Sequence, residues 1–304
     1  MTVPIAAIDC GTNTVKLLIG SPPEVQVRLS RMVRLGEGVD RTGRLGEAAL
    51  ARTFAAIEEY AVLIAEHGVQ RIRFCATSAT RDAVNAAEFG DGVLARLGVR
   101  PEVLSGAEEA ALAFDGALRN LTPTPDGDVL VVDIGGGSTE LILGSAATRL
   151  PEQSHSMDIG SVRLHERRVT SDPPTAAEIA AVVADVDAAL DACPVDAARA
   201  TTVVGVAGTI TTVAAGVLDL AAYDREAIDQ RALPVEAVHE VVDRLVAMTR
   251  AERLLLPWMH PGRADVIDAG ALILSRVLRR TRVTTLVVSE SDILDGIAWS
   301  LADR

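Results

Sequence analysis

Two apolar runs in the chain lead into the same kind of polar, glycine-containing turn. Residues 5–8 (Ile-Ala-Ala-Ile) run into Asp9, and residues 129–132 (Val-Leu-Val-Val) run into Asp133. A second apolar run follows each turn. A short continuous apolar run bounded by turn residues is typical of a strand buried on both faces. The pattern predicts two strand–turn–strand hairpins, one at the start of each half of the chain.

The rest of the chain alternates between segments with helical and strand periodicity, which favours an α/β fold. Stop signals such as Gly68 and capping residues such as Thr175 with Glu178 bound the helices. A final helix spans residues 292–303. The other principal elements are predicted as helices over 47–66, 176–192, 234–249 and from Arg263 to about Arg280, and strands over 25–35, 201–207 and 284–289.

The two turns are predicted to bind phosphate. In the second turn, three consecutive glycines leave no Cβ in the way, so the backbone can approach a ligand and present successive N–H groups to an anion. The first turn repeats the pattern of an apolar strand, an Asp and a glycine-containing turn. A plain hairpin turn is the alternative, but it needs one glycine and not three. The predicted phosphate-binding residues are Gly11, Thr12 and Asn13 in the first turn, and Gly135, Gly136, Gly137, Ser138 and Thr139 in the second.

Composition excludes several classes of function. The 304 residues carry a net charge of −13, which argues against non-specific nucleic-acid binding. Cys10, Cys75 and Cys193 form no C-x-x-C pair and are expected to be reduced thiols. No signal-peptide pattern and no apolar run of about 18 residues is present. We therefore expect a cytoplasmic protein that does not bind membranes.

Four segments, residues 9–14, 76–85, 105–110 and 133–140, resemble the exopolyphosphatase / guanosine pentaphosphate phosphohydrolase (Ppx/GppA) family. The chain is similar to its short, two-domain, actinobacterial-type members. The resemblance implies the duplicated actin-like ATPase (ribonuclease H-like) fold, with two α/β domains flanking an active-site cleft. The expected domains are residues 1–124 and 125–304, with the last helix, 292–304, packing back on the first.

The resemblance also implies roles for individual residues. Glu109 aligns with the catalytic base that activates water, and Glu140 would assist it or the metal. Asp9 and Asp133 would hold Mg²⁺ or Mn²⁺. Further phosphate contacts are implied for Arg81, which would instead orient a catalytic carboxylate in a second interpretation, and for Gly208.

Simpler structural roles compete with some of these interpretations. Ser105 and Glu108 have the spacing of a capping box, which leaves Glu109 about 100° further around the helix and free to project elsewhere. Ser78 and Thr80 are good N-cap residues. Gly208 fits a tight strand–helix turn.

The expected activity is removal of terminal phosphates from inorganic polyphosphate, or of one phosphate from guanosine pentaphosphate, by a homodimer. A small-molecule kinase and a non-catalytic nucleotide sensor of the same fold are the alternatives. A basic stretch is interpreted either as a solvated loop or as a guide for polyphosphate, because Arg suits phosphate oxygens. It consists of Arg28, Arg31, Arg34, Arg41 and Arg44.

Overall fold

The two predicted hairpins lie in separate units of the structure, a computed structural model that describes residues 3–303. One unit contains the residues up to Gly116 together with those from Ile293 onward, and the other contains Ala117 to Asp292. The division falls inside a helix. The boundary expected from the sequence, between residues 124 and 125, therefore lies within the second unit.

The first unit is built on a five-stranded sheet. Its strands are β1 (Ile5–Cys10), β2 (Thr14–Ser21), β3 (Glu24–Met32), β4 (Arg71–Ala76) and β5 (Glu102–Val103). Its helices are α1 (Val39–Thr42), α2 (Glu47–Glu66), α3 (Ser78–Arg81), α4 (Ala86–Leu97) and α5 (Gly106–Arg119), which continues into the second unit.

The second unit is built on a six-stranded sheet. Its strands are β6 (Asp128–Ile134), β7 (Thr139–Ser145), β8 (Leu150–Met157), β9 (Thr202–Val206), β10 (Ala232–Pro234) and β11 (Thr285–Val288). Its helices are α6 (Ser161–Arg168), α7 (Ala176–Ala192), α8 (Ala207–Val217), α9 (Arg225–Ile228), α10 (Val235–Ala247), α11 (Arg250–Arg253) and α12 (Ile267–Leu278), and a 3₁₀ turn covers Ala197–Arg199. The last helix, α13 (Ile293–Ala302), belongs to the first unit.

Sheet topology confirms the duplication. The strand orders are β3-β2-β1-β4-β5 and β8-β7-β6-β9-β11-β10. In each sheet an antiparallel meander is followed by two parallel pairings. The second sheet adds β10, which pairs antiparallel with β11. Even the irregularities repeat: the register shifts between Ile19 and Gly20 on β2, and between Leu143 and Gly144 on β7. The chain therefore has the duplicated actin-like α/β fold.

Aliphatic side chains form the core of each unit. Val129 to Val132 on β6 are fully buried, as the continuous apolar run predicted. Aromatic side chains are few: Trp258 is the aromatic member of the second unit's cluster of buried residues. Among the described residues, no helix is long and apolar enough to cross a membrane.

Most predicted elements are confirmed, and α2 and α7 have the predicted bounds. The capping box of Thr175 and Glu178 is also confirmed. One helix start is wrong: α12 begins at Ile267 and not at Arg263. Residues 261–266 form turns, in which the backbone N–H of Arg263 donates to the carbonyl of His260 at 2.9 Å.

Arginines from the first sheet hold α13 in place. Arg28 on β3 donates to the Asp295 carboxylate, and Arg73 on β4 donates to Ser300 Oγ at 2.5 Å. Asp295 is 5% exposed. Because Arg28 is committed to this carboxylate, the first arginine of the basic stretch has a structural role in fixing the last helix.

Replacing Arg28 tests that structural role. We expect Arg28→Met to destabilise the protein by about 1–3 kcal/mol, because it removes a charged donor from a buried carboxylate. Arg31→Met is the matched control on the same strand. Its partner Glu59 is 45% exposed at the side chain, so the loss should stay below about 1 kcal/mol.

Urea unfolding of both variants measures the difference. If Arg28→Met unfolds at the wild-type midpoint, the proposed anchoring of α13 is wrong.

Candidate active site

The first turn, between β1 and β2, has its carbonyl groups held by the segment that follows β3. The backbone N–H of Gly11 closes the turn on the carbonyl of Thr14 at 2.9 Å. The carbonyl of Thr12 accepts from the N–H of Gly36 at 2.8 Å, and that of Asn13 accepts from Val33 at 3.0 Å. This segment therefore braces the turn from one side.

The second turn, between β6 and β7, closes in the same way: the N–H of Gly135 donates to the carbonyl of Ser138 at 3.0 Å. Here the first turn of α6 is the brace. The carbonyl of Gly135 accepts from the N–H of Ser161 at 3.0 Å, and that of Gly136 accepts from Val162 at 2.9 Å and from the Arg163 N–H at 3.0 Å.

Peptide planarity turns this bracing into a binding surface. In a trans peptide the C=O and the following N–H point in opposite directions. Carbonyls drawn toward α6 therefore direct the next N–H groups away from it. Among the backbone–backbone hydrogen bonds of the described residues, none is donated by the N–H of Gly136, Gly137 or Ser138. Successive N–H groups presented in this way form a concave site for an anion.

Two glycines outside the turns permit the bracing. A Cβ on Gly160 would lie 2.4 Å from the carbonyl oxygen of Gly136. A Cβ on Gly36 would lie 2.3 Å from Cγ2 of Thr12. A Cβ at position 160 would push the turn and its brace apart, and a Cβ at position 36 would displace the Thr12 side chain.

An aspartate is the penultimate residue of the first strand in each hairpin, but the two aspartates face different partners. Asp9 lies opposite Lys16, with the ammonium nitrogen 3.5 Å from the carboxylate, and Lys16 is the only lysine in the chain. Asp133 lies opposite Glu140 at the equivalent position. Glu140 is 2% exposed and accepts a hydrogen bond of 2.6 Å from Ser156 Oγ.

Glu109 projects from the first turn of α5, apart from its neighbour. The predicted capping box is confirmed, because Glu108 Oε2 accepts from the Ser105 N–H at 2.9 Å and the Glu108 N–H donates to Ser105 Oγ at 3.3 Å. Glu109 is 7% exposed and accepts from Arg81 Nη1 at 2.8 Å. The two glutamates therefore have separate environments, as the helical spacing predicted.

Burial raises the pKa of Glu109 to about 7; the hydrogen bond and charge of Arg81 oppose this, and Asp9 and Asp82 add to it. A carboxylate with such a pKa can accept a proton near neutral pH. Arg81 is itself positioned by the carbonyl of Leu104, to which its Nη1 donates at 3.0 Å. Arg81 thus contacts a candidate catalytic carboxylate, which is the second of its two predicted roles.

The segment that carries Arg81 also adjoins the first turn. Thr12 Oγ1 and Ser78 Oγ are hydrogen-bonded at 3.0 Å, and both are buried. The capping prediction for Ser78 and Thr80 is wrong: Thr77 is the N-cap residue of α3 and makes no side-chain cap bond. Among the described residues, the buried Thr80 Oγ1 and Asn13 Oδ1 have no hydrogen-bond partner. Orphaned polar atoms beside the turn are consistent with a ligand site.

Two of the other predicted ligands make contacts within the protein. Thr139 Oγ1 donates to the carbonyl of Ile159 at 2.7 Å. The guanidinium of Arg263 lies against Gly208, where a Cβ would meet its Nη2 at 2.3 Å, and its Nη1 donates to Thr212 Oγ1 at 2.9 Å. Phosphate contacts by Thr139 and Gly208 stay predictions.

The structure thus places most of the predicted residues in two clusters, one within each unit. The first contains the turn from Gly11 to Thr14 with Asp9, Arg81 and Glu109; the second contains the turn from Gly135 to Ser138 with Asp133 and Glu140. Sequence reasoning missed the roles of Lys16 and Gly36. It expected Gly160 and Arg163 to lie near the site but assigned neither of them a contact. Lys16 could have been found from the sequence, because it is the only lysine in the chain and lies at the position equivalent to Glu140 in the duplication.

Comparisons with known proteins identify the family of the chain. The chain matches the Ppx/GppA phosphatase family over residues 19–304. It is 45% identical over 320 residues to Exopolyphosphatase 2 of Mycobacterium tuberculosis, covering 98% of each chain. The crystal structure of an exopolyphosphatase-like protein superposes with a TM-score of 0.96 at 44% identity, covering 99% of each chain.

A crystal structure of the Aquifex aeolicus Ppx/GppA family member is similar as well. It superposes with a TM-score of 0.81 at 31% identity and covers 99% of each chain. The family match, the relative and the two structures all extend over both halves of the duplicated fold. The chain therefore belongs to the Ppx/GppA phosphatase family.

Proposed function

We propose that the chain is an exopolyphosphatase that removes terminal phosphates from inorganic polyphosphate, with guanosine pentaphosphate as a second substrate of the same chemistry. The observation that carries the proposal is the buried carboxylate of Glu109, which accepts a hydrogen bond of 2.8 Å from Arg81 Nη1. Burial also raises the pKa of this carboxyl group to about 7. The similarity to Exopolyphosphatase 2 supports the choice of substrate.

In the proposed reaction, Glu109 accepts a proton from water as the water oxygen attacks the terminal phosphorus. The bond from that phosphorus to the bridging oxygen breaks. Orthophosphate leaves, and the bridging oxygen stays on the shortened chain. The N–H groups of the turns, at Asn13 and Thr14 and at Gly136 to Ser138, bind the phosphate oxygens.

We propose that Asp133 and Glu140 supply oxygen ligands for Mg²⁺ or Mn²⁺. Asp133 and Glu140 lie opposite each other on β6 and β7, and both are buried. Two carboxylates completed by substrate phosphate and water suit Mg²⁺, which keeps several waters. No group of three or more acidic, His or Cys side chains that could hold a metal occurs within residues 3–303. A bound cation would neutralise phosphate charge; Asp9 stays a further predicted ligand.

Family resemblance is the basis for two further parts of the proposal. We expect a cytoplasmic protein that works as a homodimer. Size-exclusion chromatography with light scattering measures the second of these directly.

Replacing the proposed base tests the mechanism. We expect Glu109→Gln to lower kcat on polyphosphate by about 10²–10⁴-fold, because the amide keeps the shape of the carboxylate and cannot accept the proton. Glu108→Gln is the matched control, since Glu108 caps the helix from the neighbouring position. It should keep kcat within about threefold. Phosphate release on polyphosphates of graded length and on guanosine pentaphosphate measures both; an unimpaired Glu109→Gln enzyme refutes the proposed base.

The acid limb of the pH profile tests the environment of Glu109. A base must be deprotonated to act, so kcat/KM should rise with pH and level off above an apparent pKa of about 7. Arg81 lowers the pKa of Glu109. We therefore expect Arg81→Gln to move the limb to higher pH, with activity partly recovered in alkaline buffer.

The control is the pH profile of the residual activity of Glu109→Gln. The acid limb should be missing from that profile, because the variant has no carboxyl group to titrate at this position. If Arg81→Gln raises KM and leaves the limb in place, Arg81 contacts the substrate and does not tune the carboxylate.

A further inference from the structure

The second turn is braced by one side chain whose contact is separate from the backbone bonds of α6. Nε of Arg163 donates to the carbonyl of Gly137 at 2.7 Å. Ser161 and Val162, with the Arg163 N–H, already hold the carbonyls of Gly135 and Gly136. Gly137 carries the next carbonyl along the chain after those of Gly135 and Gly136. The side chain of Arg163, in the first turn of α6, binds this third carbonyl.

This contact fixes a particular donor of the phosphate site. The carbonyl of Gly137 and the N–H of Ser138 belong to one planar peptide group and point in opposite directions. A carbonyl held by Arg163 therefore aims the Ser138 N–H away from α6, in line with those of Gly136 and Gly137. Without the contact, this peptide can rotate, because Gly137 has no Cβ to restrict its backbone.

We propose that Arg163 is a positioning residue, which orients the Ser138 N–H toward phosphate through the carbonyl of Gly137. The inference rests on the proposed function of the turn as a phosphate site. It assigns Arg163 no contact with substrate. The role is assigned to Nε, the atom that donates to the carbonyl of Gly137.

Three substitutions separate the hydrogen bond from the charge. Nε2 of glutamine lies the same number of bonds from Cα as Nε of arginine, so Arg163→Gln keeps a donor at that position and removes the charge. Arg163→Lys keeps the charge, but its nitrogen lies one bond further out. Arg163→Met removes both. Thermal unfolding of all three confirms that they fold.

The variants are compared by their turnover and by their affinity for pyrophosphate. This affinity is measured as competitive inhibition of polyphosphate hydrolysis. We expect Arg163→Met to weaken pyrophosphate binding about 10-fold or more, the effect of losing one hydrogen bond to a charged group. Arg163→Gln should stay within a few-fold of wild type and bind more tightly than Arg163→Lys. A lysine variant that outperforms the glutamine variant overturns the proposal, because charge and not position would then decide binding.

A readout independent of turnover is the ¹⁵N–¹H resonance of Ser138 in protein without ligand. It should move in the methionine and lysine variants and stay near its wild-type position in the glutamine variant. An unchanged Ser138 resonance in Arg163→Met also overturns the proposal. If wild type hydrolyses no polyphosphate, the proposed function fails, and the resonance comparison still decides the role of Arg163.

Gly160→Ala displaces the same turn by another route. Its Cβ would lie 2.4 Å from the carbonyl oxygen of Gly136 and 2.6 Å from the carbonyl carbon of Gly137. We expect it to weaken pyrophosphate binding at least as much as Arg163→Met does. Wild-type affinity in Gly160→Ala would contradict a site made from this turn.

Discussion

A planar peptide group cannot present its C=O and its following N–H to the same side, and both candidate phosphate turns depend on this constraint. A neighbouring segment donates backbone hydrogen bonds to the carbonyl groups of each turn. In the first half this segment is the loop after β3, through the N–H groups of Val33, Arg34 and Gly36. In the second half it is the start of α6. The N–H groups at the start of a helix have no partner within the helix, so α6 supplies donors that would otherwise need a cap.

The duplicated halves keep the same strand order and differ in charge. Asp9 faces Lys16, whereas Asp133 faces Glu140. The Lys16 ammonium forms an ion pair with Asp9, whereas the facing carboxylates of Asp133 and Glu140 are the pair that we propose as cation ligands. Glu109, in the first half, is raised in pKa by burial, while hydrogen bonds from Ser105 lower the pKa of the exposed Glu108. Lys16 and Glu140 are equivalent in the duplication and Glu108 and Glu109 are adjacent in sequence, yet the members of each pair differ in charge or in the direction of their pKa shift.

Local patterns were sufficient to predict the hairpins, the two capping boxes and the separate environments of Glu108 and Glu109, because each depends on residues within a few positions of one another. Contacts between distant segments were not predictable in this way. Nothing near Gly137 indicates that Arg163 holds its carbonyl, and the anchoring of α13 by Arg28 joins residues from opposite ends of the chain. The pKa of Glu109 likewise depends on burial, which only the folded structure defines. The roles of individual phosphate ligands in the two turns stay predictions, as does the metal.

Isotope transfer from water tests the central claim most directly. Polyphosphate of defined length is hydrolysed in H₂¹⁸O, and the products are separated for mass spectrometry. Attack by water on the terminal phosphorus places one ¹⁸O in each orthophosphate released and none in the shortened chain. Label in the chain ends, or phosphate transfer that requires an added acceptor and leaves orthophosphate unlabelled, would contradict hydrolysis of terminal phosphates by an activated water.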